Sequence, residues 1–309
     1  MYTKNVEILE VGPRDGLQNE KTLISTQDKI SLIDRAIAAG ARRIEVTSFV
    51  NPRTVPQMAD AEAVCEQLPE RADVTYVSLV LNARGAARAL ATGRIDQLGA
   101  VAVATDSFAM ANQGQTSDGS VEVAREIMEK ARAAGKTGQV TIAAAFGCPF
   151  EGEVAKDRVV AMAVALAEAQ PLEICLADTI GAGNPAQVAS LFGKVRAAVP
   201  RIPLRAHFHN TRGTGLANAW VAVQAGAVTI DSALGGLGGC PFAPGATGNI
   251  STEDVVYMFE RAGIDTGFDL EALVEANHWL GDLMQRRLPG MVARAPLFPS
   301  SSQEKRCAS

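Results

Sequence analysis

Eight short apolar runs recur along the chain, and each is followed by a segment with helical features. Most of the runs are continuous rather than alternating, which is typical of strands that are covered on both faces. This repetition predicts an α/β fold with a parallel sheet. The runs are Val6–Val11, Arg43–Thr47, Val74–Leu81, Gly99–Ala104, Val140–Phe146, Leu172–Ala177, Leu204–His209 and Val228–Leu234.

The intervening segments carry signals for helix starts and ends. Thr26–Ala39 places Ile30, Ile33 and Ile37 at helical spacing and stops at Gly40. Pro at the first helical position and a Ser or Thr cap mark other starts. Helices are also predicted at Val121–Ala134, Val154–Ala169 and Gly213–Ala225, from Asn184-Pro185 onward, and from Ser251 onward, with Asp254 completing a loose capping box.

Eight strands that alternate with helices favour a (β/α)8 TIM barrel. The alternation extends from Val6 to Ala262, which suits the roughly 250 residues typical of that fold. A doubly wound open sheet is the alternative. We assign residues 1–265 to the catalytic barrel. Residues 266–309 are assigned to a C-terminal helical extension, including Leu270–Arg287, and a polar tail of the same domain.

Composition excludes several classes of function. The net charge of −5 and an aromatic content of 5% argue against nucleic-acid binding. No apolar run reaches the length of a membrane span, and the N-terminal residues lack an apolar signal segment. The five cysteines are widely spaced, which predicts neither a disulfide framework nor a zinc site. We therefore expect a cytoplasmic protein, or one whose sequence is already mature.

Polar side chains cluster at one end of the predicted barrel. In such barrels the chemistry lies at the C-terminal ends of the strands and in the loops that follow them. The polar residues at or near these ends are Arg14, Asp15, Glu45, Asp178, His207, His209, Cys240 and Asn249.

A His-x-His pair on the seventh strand predicts a metal site. His207 and His209 point to the same face, because side chains two apart on a strand do so. Asp15 can add a carboxylate and Asn249 a neutral oxygen, a set that favours Mg²⁺ or Mn²⁺ over structural zinc. The alternative is a pair of hydrogen-bonded histidines in a polar core. His278 lies in the extension and is interpreted as structural.

Four further groups have possible chemical roles. Arg14 can hold a developing oxyanion or simply pair with Asp15. Glu45 needs a partner inside its strand, and Arg14 is a candidate. Asp178 can bind substrate, position a water or accept from a metal ligand. The glycines before Cys240 lack a phosphate-binding pattern and suggest a flexible loop.

Several motifs resemble those of the 3-hydroxy-3-methylglutaryl-CoA (HMG-CoA) lyase family, within a group of metal-dependent lyases and aldolases. The resemblance covers about residues 4 to 285. The motifs are Glu10-Val-Gly-Pro-Arg-Asp-Gly-Leu-Gln-Asn-Glu-Lys21, Thr47-Ser-Phe-Val50, Val55-Pro-Gln-Met58, Gly147-Cys-Pro-Phe-Glu-Gly152, Asp178-Thr-Ile-Gly181, Gly235-Gly-Leu-Gly-Gly-Cys-Pro-Phe-Ala243 and Gly248-Asn249.

The resemblance implies a (β/α)8 barrel that cleaves a 3-hydroxyacyl-CoA and self-associates as a homodimer or higher oligomer. It implies Asp15, His207, His209 and Asn249 as metal ligands. Arg14 would stabilise the enolate oxygen, Glu45 would orient Arg14, Cys240 would be the acid of a mobile loop, and Asp178 would assist at the substrate hydroxyl. Candidate substrate-binding residues are Arg14, Gln18, Ser48 and Asn112.

Departures from the family pattern keep other substrates open. Asn210 follows His209 where the family usually has Asp, and Ala144-Ala145 stands where it commonly has Ser-Cys. Arg212 is new as well and could alter contacts with the acyl part. HMG-CoA is the leading substrate, and citramalyl-CoA is an alternative. A condensing acyltransferase or a non-catalytic acyl-CoA-binding barrel is less favoured. The proton-accepting base is left open between Asp178, His207 and a water on the metal.

Overall fold

The computed structural model describes residues 4–239, 248–296 and 298. Within these residues, eight parallel strands pair in sequence order and close between β8 and β1. This closure excludes the open sheet and confirms the predicted (β/α)8 barrel. The strands are β1 (Glu7–Glu10), β2 (Arg43–Ser48), β3 (Thr75–Leu79), β4 (Gln97–Val103), β5 (Thr137–Ala143), β6 (Ile174–Asp178), β7 (Leu204–Phe208) and β8 (Ala227–Ser232).

Ten α-helices accompany the strands in the same described residues. They are α1 (Thr26–Ala38), α2 (Ala61–Gln67), α3 (Ala83–Ala91), α4 (Asp106–Gln113), α5 (Ser117–Ala133), α6 (Lys156–Ala167), α7 (Pro185–Ala198), α8 (Gly215–Gln224), α9 (Thr252–Arg261) and α10 (Leu270–Leu283). The sequence did not reveal α2, α3 and α4, because 7, 9 and 8 residues are too few for a clear helical period. None of the described helices is long and apolar enough to cross a membrane.

Two of the predicted helix starts have the expected caps. Asn184 begins α7 with a complete capping box. The Ser251 hydroxyl accepts a hydrogen bond from the backbone N–H of Asp254, which is one of the two bonds of a capping box. The second bond, from the backbone N–H of Ser251 to the Asp254 side chain, is not formed. The Asp254 carboxylate accepts instead from the backbone N–H groups of Met291 and Val292. This carboxylate therefore ties the C-terminal segment to α9.

The C-terminal extension packs against the barrel. The backbone N–H of Asp269, just before α10, donates to the carbonyl of Ala39 at the end of α1 (2.8 Å). The predicted helix ends at Leu283 rather than Arg287, and Gln285 has a positive φ of 51°. The boundary at residue 265 stays a prediction, and residues 299–309 of the polar tail lie outside the described residues.

The hydrophobic core lies between the barrel and its helices. Phe208 on β7 is fully buried there, with its ring centroid 5.8 Å from that of Phe146. Because side chains alternate along a strand, Phe208 facing outward places His207 and His209 toward the barrel interior. The core residue thereby sets the direction of both histidines.

Candidate metal centre and active site

Three side chains meet at the C-terminal end of the barrel. Asp15, His207 and His209 bring nitrogen and oxygen atoms that could bind a metal within 4.8 Å of one another. The Oδ2 atom of Asp15 lies 3.7 Å from Nε2 of His209 and 4.0 Å from Nε2 of His207. Asp15 belongs to a π-helical turn, Gly12–Gly16, directly after β1. Residues far apart in sequence are thus gathered at one point.

Asn249 completes this cluster. Its Nδ2 atom donates to Asp15 Oδ2 (2.7 Å) and to the carbonyl of Leu237 (3.0 Å). Its Oδ1 atom is buried and has no hydrogen-bond partner among the described residues, and the same holds for Nδ1 of His209. Because buried polar atoms are normally hydrogen-bonded, this unpaired oxygen could accept a further partner such as a cation, while Nδ2 is the atom that contacts Asp15. One carboxylate, two imidazoles and an amide oxygen fit a six-coordinate divalent ion.

Arg14 bridges two carboxylates at the edge of the cluster. Its Nε atom donates to Glu45 Oε2 (2.6 Å), and its Nη1 atom donates to Asp15 Oδ1 (2.6 Å). The predicted pairing of Glu45 with Arg14 is confirmed. Since a buried carboxylate is costly without a partner, this pair explains how the β2 strand tolerates Glu45.

The two carboxylates differ in their electrostatic setting. Burial raises the pKa of Asp15, but Arg14 and the two histidines outweigh it and hold that pKa well below its usual range. Glu45 is more deeply buried, and burial raises its pKa despite Arg14. Burial lowers the pKa of Arg14, while Glu45 and Asp15 more than offset this and raise it. The lowered pKa favours the anionic form of Asp15, the form that can bind a cation.

A buried pair below the cluster was missed by the sequence analysis. Asp231 on β8 lies 3.1 Å from Nδ1 of His207, and Arg205 on β7 donates to both oxygens of Asp231. Both residues interrupt apolar strand runs, as Glu45 does on β2. A charged residue within an apolar strand run is thus the sequence signal that all three share.

A cavity of about 600 Å³ opens from the cluster. Gln18 and Asn112, two of the predicted substrate-binding residues, line it together with the cluster residues. Apolar side chains from the neighbouring strands and helices form much of the rest of its wall, among them Leu79, Val101, Phe108 and Val123. The cavity thus combines a charged end with an apolar wall, as small-molecule sites commonly do.

The structure does not support the predicted role of Asp178 at the substrate hydroxyl. Its carboxylate is fully buried and accepts from the backbone N–H groups of Ala182 and Gly183 (both 2.8 Å). Asp178 pairs in register with Phe208, so it faces away from the barrel interior, and Thr179 lines the cavity instead. Burial raises the pKa of Asp178. These hydrogen bonds hold the loop that follows β6 in place.

Ser48 and Arg212 also lie outside the cavity lining. Ser48 is fully buried, and its hydroxyl donates to Oε1 of Gln18 (3.4 Å), which itself lines the cavity. The Arg212 guanidinium donates to the carbonyls of Ile180 and Gly181. Contact of Arg212 with the acyl part of a substrate is therefore not supported, because its charged end is held on the backbone of the β6 loop.

Cys240, the predicted acid, lies outside the described residues. Gly239, immediately before it, lines the cavity, and Asn19 Nδ2 donates to the Gly239 carbonyl (2.8 Å). The described part of the glycine-rich loop therefore approaches the cluster.

The closed barrel carries, at one rim, a cluster of Asp, His and Arg side chains that could hold a metal ion, an arrangement typical of (β/α)8 enzymes. The chain belongs to the HMGL-like family, whose model matches residues 5–280. This confirms the resemblance, and the chain is an enzyme of the carbon–carbon lyase class.

Individual relatives cover nearly the whole chain. It is 43% identical to an (R)-citramalyl-CoA lyase of Chloroflexus aurantiacus, over 95% of this chain and 96% of that protein. It is 41% identical to a hydroxymethylglutaryl-CoA lyase of Bacillus subtilis, over 93% and 96% of the two chains. An HMG-CoA lyase structure from Acinetobacter baumannii, in complex with coenzyme A and 3-methylmalate, superposes with a TM-score of 0.91 at 39% identity, covering 97% of this chain and 99% of that one.

Proposed function

We propose that this protein cleaves the C2–C3 bond of a 3-hydroxy-3-methylacyl-CoA, with HMG-CoA as the leading substrate and acetyl-CoA and acetoacetate as products. The convergence of Asp15, His207 and His209 beside the Arg14 guanidinium, in one cavity, carries this proposal. The names of the relatives support an acyl-CoA substrate.

Asp15, His207, His209 and Asn249 would hold Mg²⁺ or Mn²⁺. When bound, the cation supplies Lewis acidity toward the tertiary hydroxyl of the substrate. The low pKa of Asp15 and the unpaired Oδ1 of Asn249 support these two residues as oxygen ligands.

Arg14 would act on the charge that bond cleavage creates. A base at the cavity takes the proton of the hydroxyl, the C–O bond becomes a carbonyl, and the electron pair of the C2–C3 bond passes to the thioester as an enolate. A fixed guanidinium stabilises such an oxyanion in a site with little water. Glu45 holds Arg14 in place through Nε and Nη2, and Asp15 holds Nη1, so the guanidinium is fixed at the edge of the cavity.

Cys240 would then protonate the enolate at C2 and complete the thioester product. A thiol with a pKa of roughly 8.5 is a suitable proton donor near neutral pH. Asn19, which binds the carbonyl of Gly239, supports the approach of this segment to the cavity.

Citramalyl-CoA is the second candidate substrate, supported by the citramalyl-CoA lyase relative. Both substrates yield acetyl-CoA, but the second product is acetoacetate from HMG-CoA and pyruvate from citramalyl-CoA. The test is to incubate the protein with each thioester and Mg²⁺ or Mn²⁺ and identify both products by mass. We expect kcat/KM for one thioester to exceed the other at least tenfold and chelation to abolish both reactions. If neither thioester yields acetyl-CoA, the proposal is wrong.

Two other expectations stay predictions. The protein is expected in the cytoplasm and as a homodimer. Cell fractionation tests the location, and light scattering on the purified protein tests the dimer.

A further inference from the structure

His207 is held from below by a carboxylate of the neighbouring strand. His207 on β7 and Asp231 on β8 are register partners, and Nδ1 of the imidazole lies 3.1 Å from Oδ2 of Asp231. Asp231 is only 3% exposed. The contact is therefore a buried one, on the side of the ring opposite to Asp15.

Arg205 fixes Asp231 in turn. It lies two residues before His207 on the same strand and hence on the same face. Its Nη1 atom donates to both carboxylate oxygens of Asp231, at 2.8 and 2.6 Å. Its Nη2 atom donates to Thr141 Oγ1 (3.0 Å) on β5. A carboxylate that accepts two hydrogen bonds from a guanidinium has the contacts of an ionised group.

This geometry determines which nitrogen of His207 carries the proton. An ionised carboxylate only accepts hydrogen bonds, so Nδ1 of a neutral His207 must be the donor. The lone pair then lies on Nε2, the atom that faces Asp15. His209 differs, because its Nδ1 atom is buried without a partner among the described residues. Among the described residues, His207 has a second carboxylate behind its ring, on the Nδ1 side, and His209 does not.

We propose that Asp231, held by Arg205, is a positioning residue that fixes the ring orientation and tautomer of His207 for binding of the divalent cation. This inference rests on the proposed metal site. Partners of this kind, behind a histidine ligand, change metal affinity by about 10- to 100-fold when they are replaced.

The first test compares two isosteric substitutions in the same buried network. In Asp231→Asn, the amide oxygen stays with Arg205 and the NH₂ group faces Nδ1, which favours the tautomer whose Nε2 is protonated. Glu173→Gln is the matched control, because Glu173 also pairs with Arg205 (2.9 Å) and is 2% exposed. Its polar contacts are with Arg43, Arg205 and Thr229 rather than with His207.

Binding of Mn²⁺ is measured by electron paramagnetic resonance of the free ion, with circular dichroism as the check on folding. We expect Asp231→Asn to weaken binding about 10- to 100-fold and Glu173→Gln to change it less than about threefold. If Asp231→Asn binds Mn²⁺ as tightly as the parent, or if both variants lose affinity equally, this inference is wrong but the proposed metal site is not affected. A parent protein that binds no Mn²⁺ overturns the proposed metal site as well.

A second measurement does not depend on the folding of a variant. The chain has three histidines, so a long-range ¹H–¹⁵N spectrum of the metal-free parent is simple to assign. In alkaline solution, where the imidazole is neutral, we expect the proton of His207 on Nδ1. A proton on Nε2 overturns the inference even if metal binding is tight.

Discussion

The carboxylate of Glu10, at the end of β1, accepts a hydrogen bond from the backbone N–H of Leu234, in the loop after β8 (2.9 Å). It also accepts from Gly12 N–H (2.7 Å) and from the Thr252 hydroxyl (2.6 Å). Glu10 thus joins the turn that carries Asp15 to the start of the glycine-rich loop. The contact is fully buried, and burial raises the pKa of Glu10 to about 7 in spite of these donors.

This raised pKa predicts a loss of stability with rising pH. The folded pKa of about 7 lies above the unfolded value of 4.5, so between these values the folded state binds more protons. The free energy of unfolding therefore falls as pH rises through this window, by about 3 kcal/mol for this group. Glu10→Gln removes the titrating group. The free energy of unfolding of this variant, measured by urea titration and compared with that of the parent, should therefore rise from pH 5 to pH 8. The exposed Glu66→Gln is the control, and identical pH profiles for Glu10→Gln and parent contradict the prediction.

Replacement of Arg14 tests its role at the enolate. Arg14→Met should lower kcat about 10²- to 10³-fold and change KM much less, because the guanidinium acts on charge that develops during the reaction. Steady-state kinetics with HMG-CoA and citramalyl-CoA measure both constants. The exposed Arg71→Met, which removes only a pairing with Asp73, should match the parent. If Arg14→Met keeps more than a tenth of kcat, the assigned role is wrong.

The unpaired oxygen of Asn249 is tested by comparison with a second buried asparagine. Asn218 is also buried, its Oδ1 atom also lacks a partner among the described residues, and it does not line the cavity. Asn249→Ala should weaken Mn²⁺ binding at least tenfold, because it removes a proposed ligand and the hydrogen bond to Asp15. Asn218→Ala should lower Tm without changing Mn²⁺ affinity. Equal affinities in the two variants would exclude Asn249 as a ligand.

The charges at the other end of the barrel interior are predicted to matter for stability. Glu173 pairs with Arg43 (2.7 Å) and Arg205 (2.9 Å), and all three are buried. Glu173→Ala leaves buried cations with fewer partners and should lower the free energy of unfolding by about 3–5 kcal/mol. Asp73→Ala removes an exposed partner of Arg71 and Arg42 and should leave Tm close to the parent value. Urea unfolding of both variants measures the contrast, and similar midpoints would contradict it.

Much of the site could be predicted from the sequence because its residues lie at strand ends. Asp15 lies in the turn that follows β1, and His207 and His209, at the end of β7, point to one face. In a parallel barrel all strand ends of one kind meet at one rim, so their proximity follows from the fold. Cys240 stays a prediction, since it lies outside the described residues.

The sequence by itself determined the barrel and the rim at which its polar residues gather. Apolar runs can be recognised locally in the sequence, and a parallel barrel brings the ends of all its strands to one rim. Only the tertiary structure decided which carboxylate on a strand lies behind His207. Asp178 points outward with Phe208. Asp231 points inward opposite His207, because the pairing of β7 with β8 shifts register after Leu204. Without that shift Ile230 would stand opposite His207, since a one-residue slip moves every side chain to the other face.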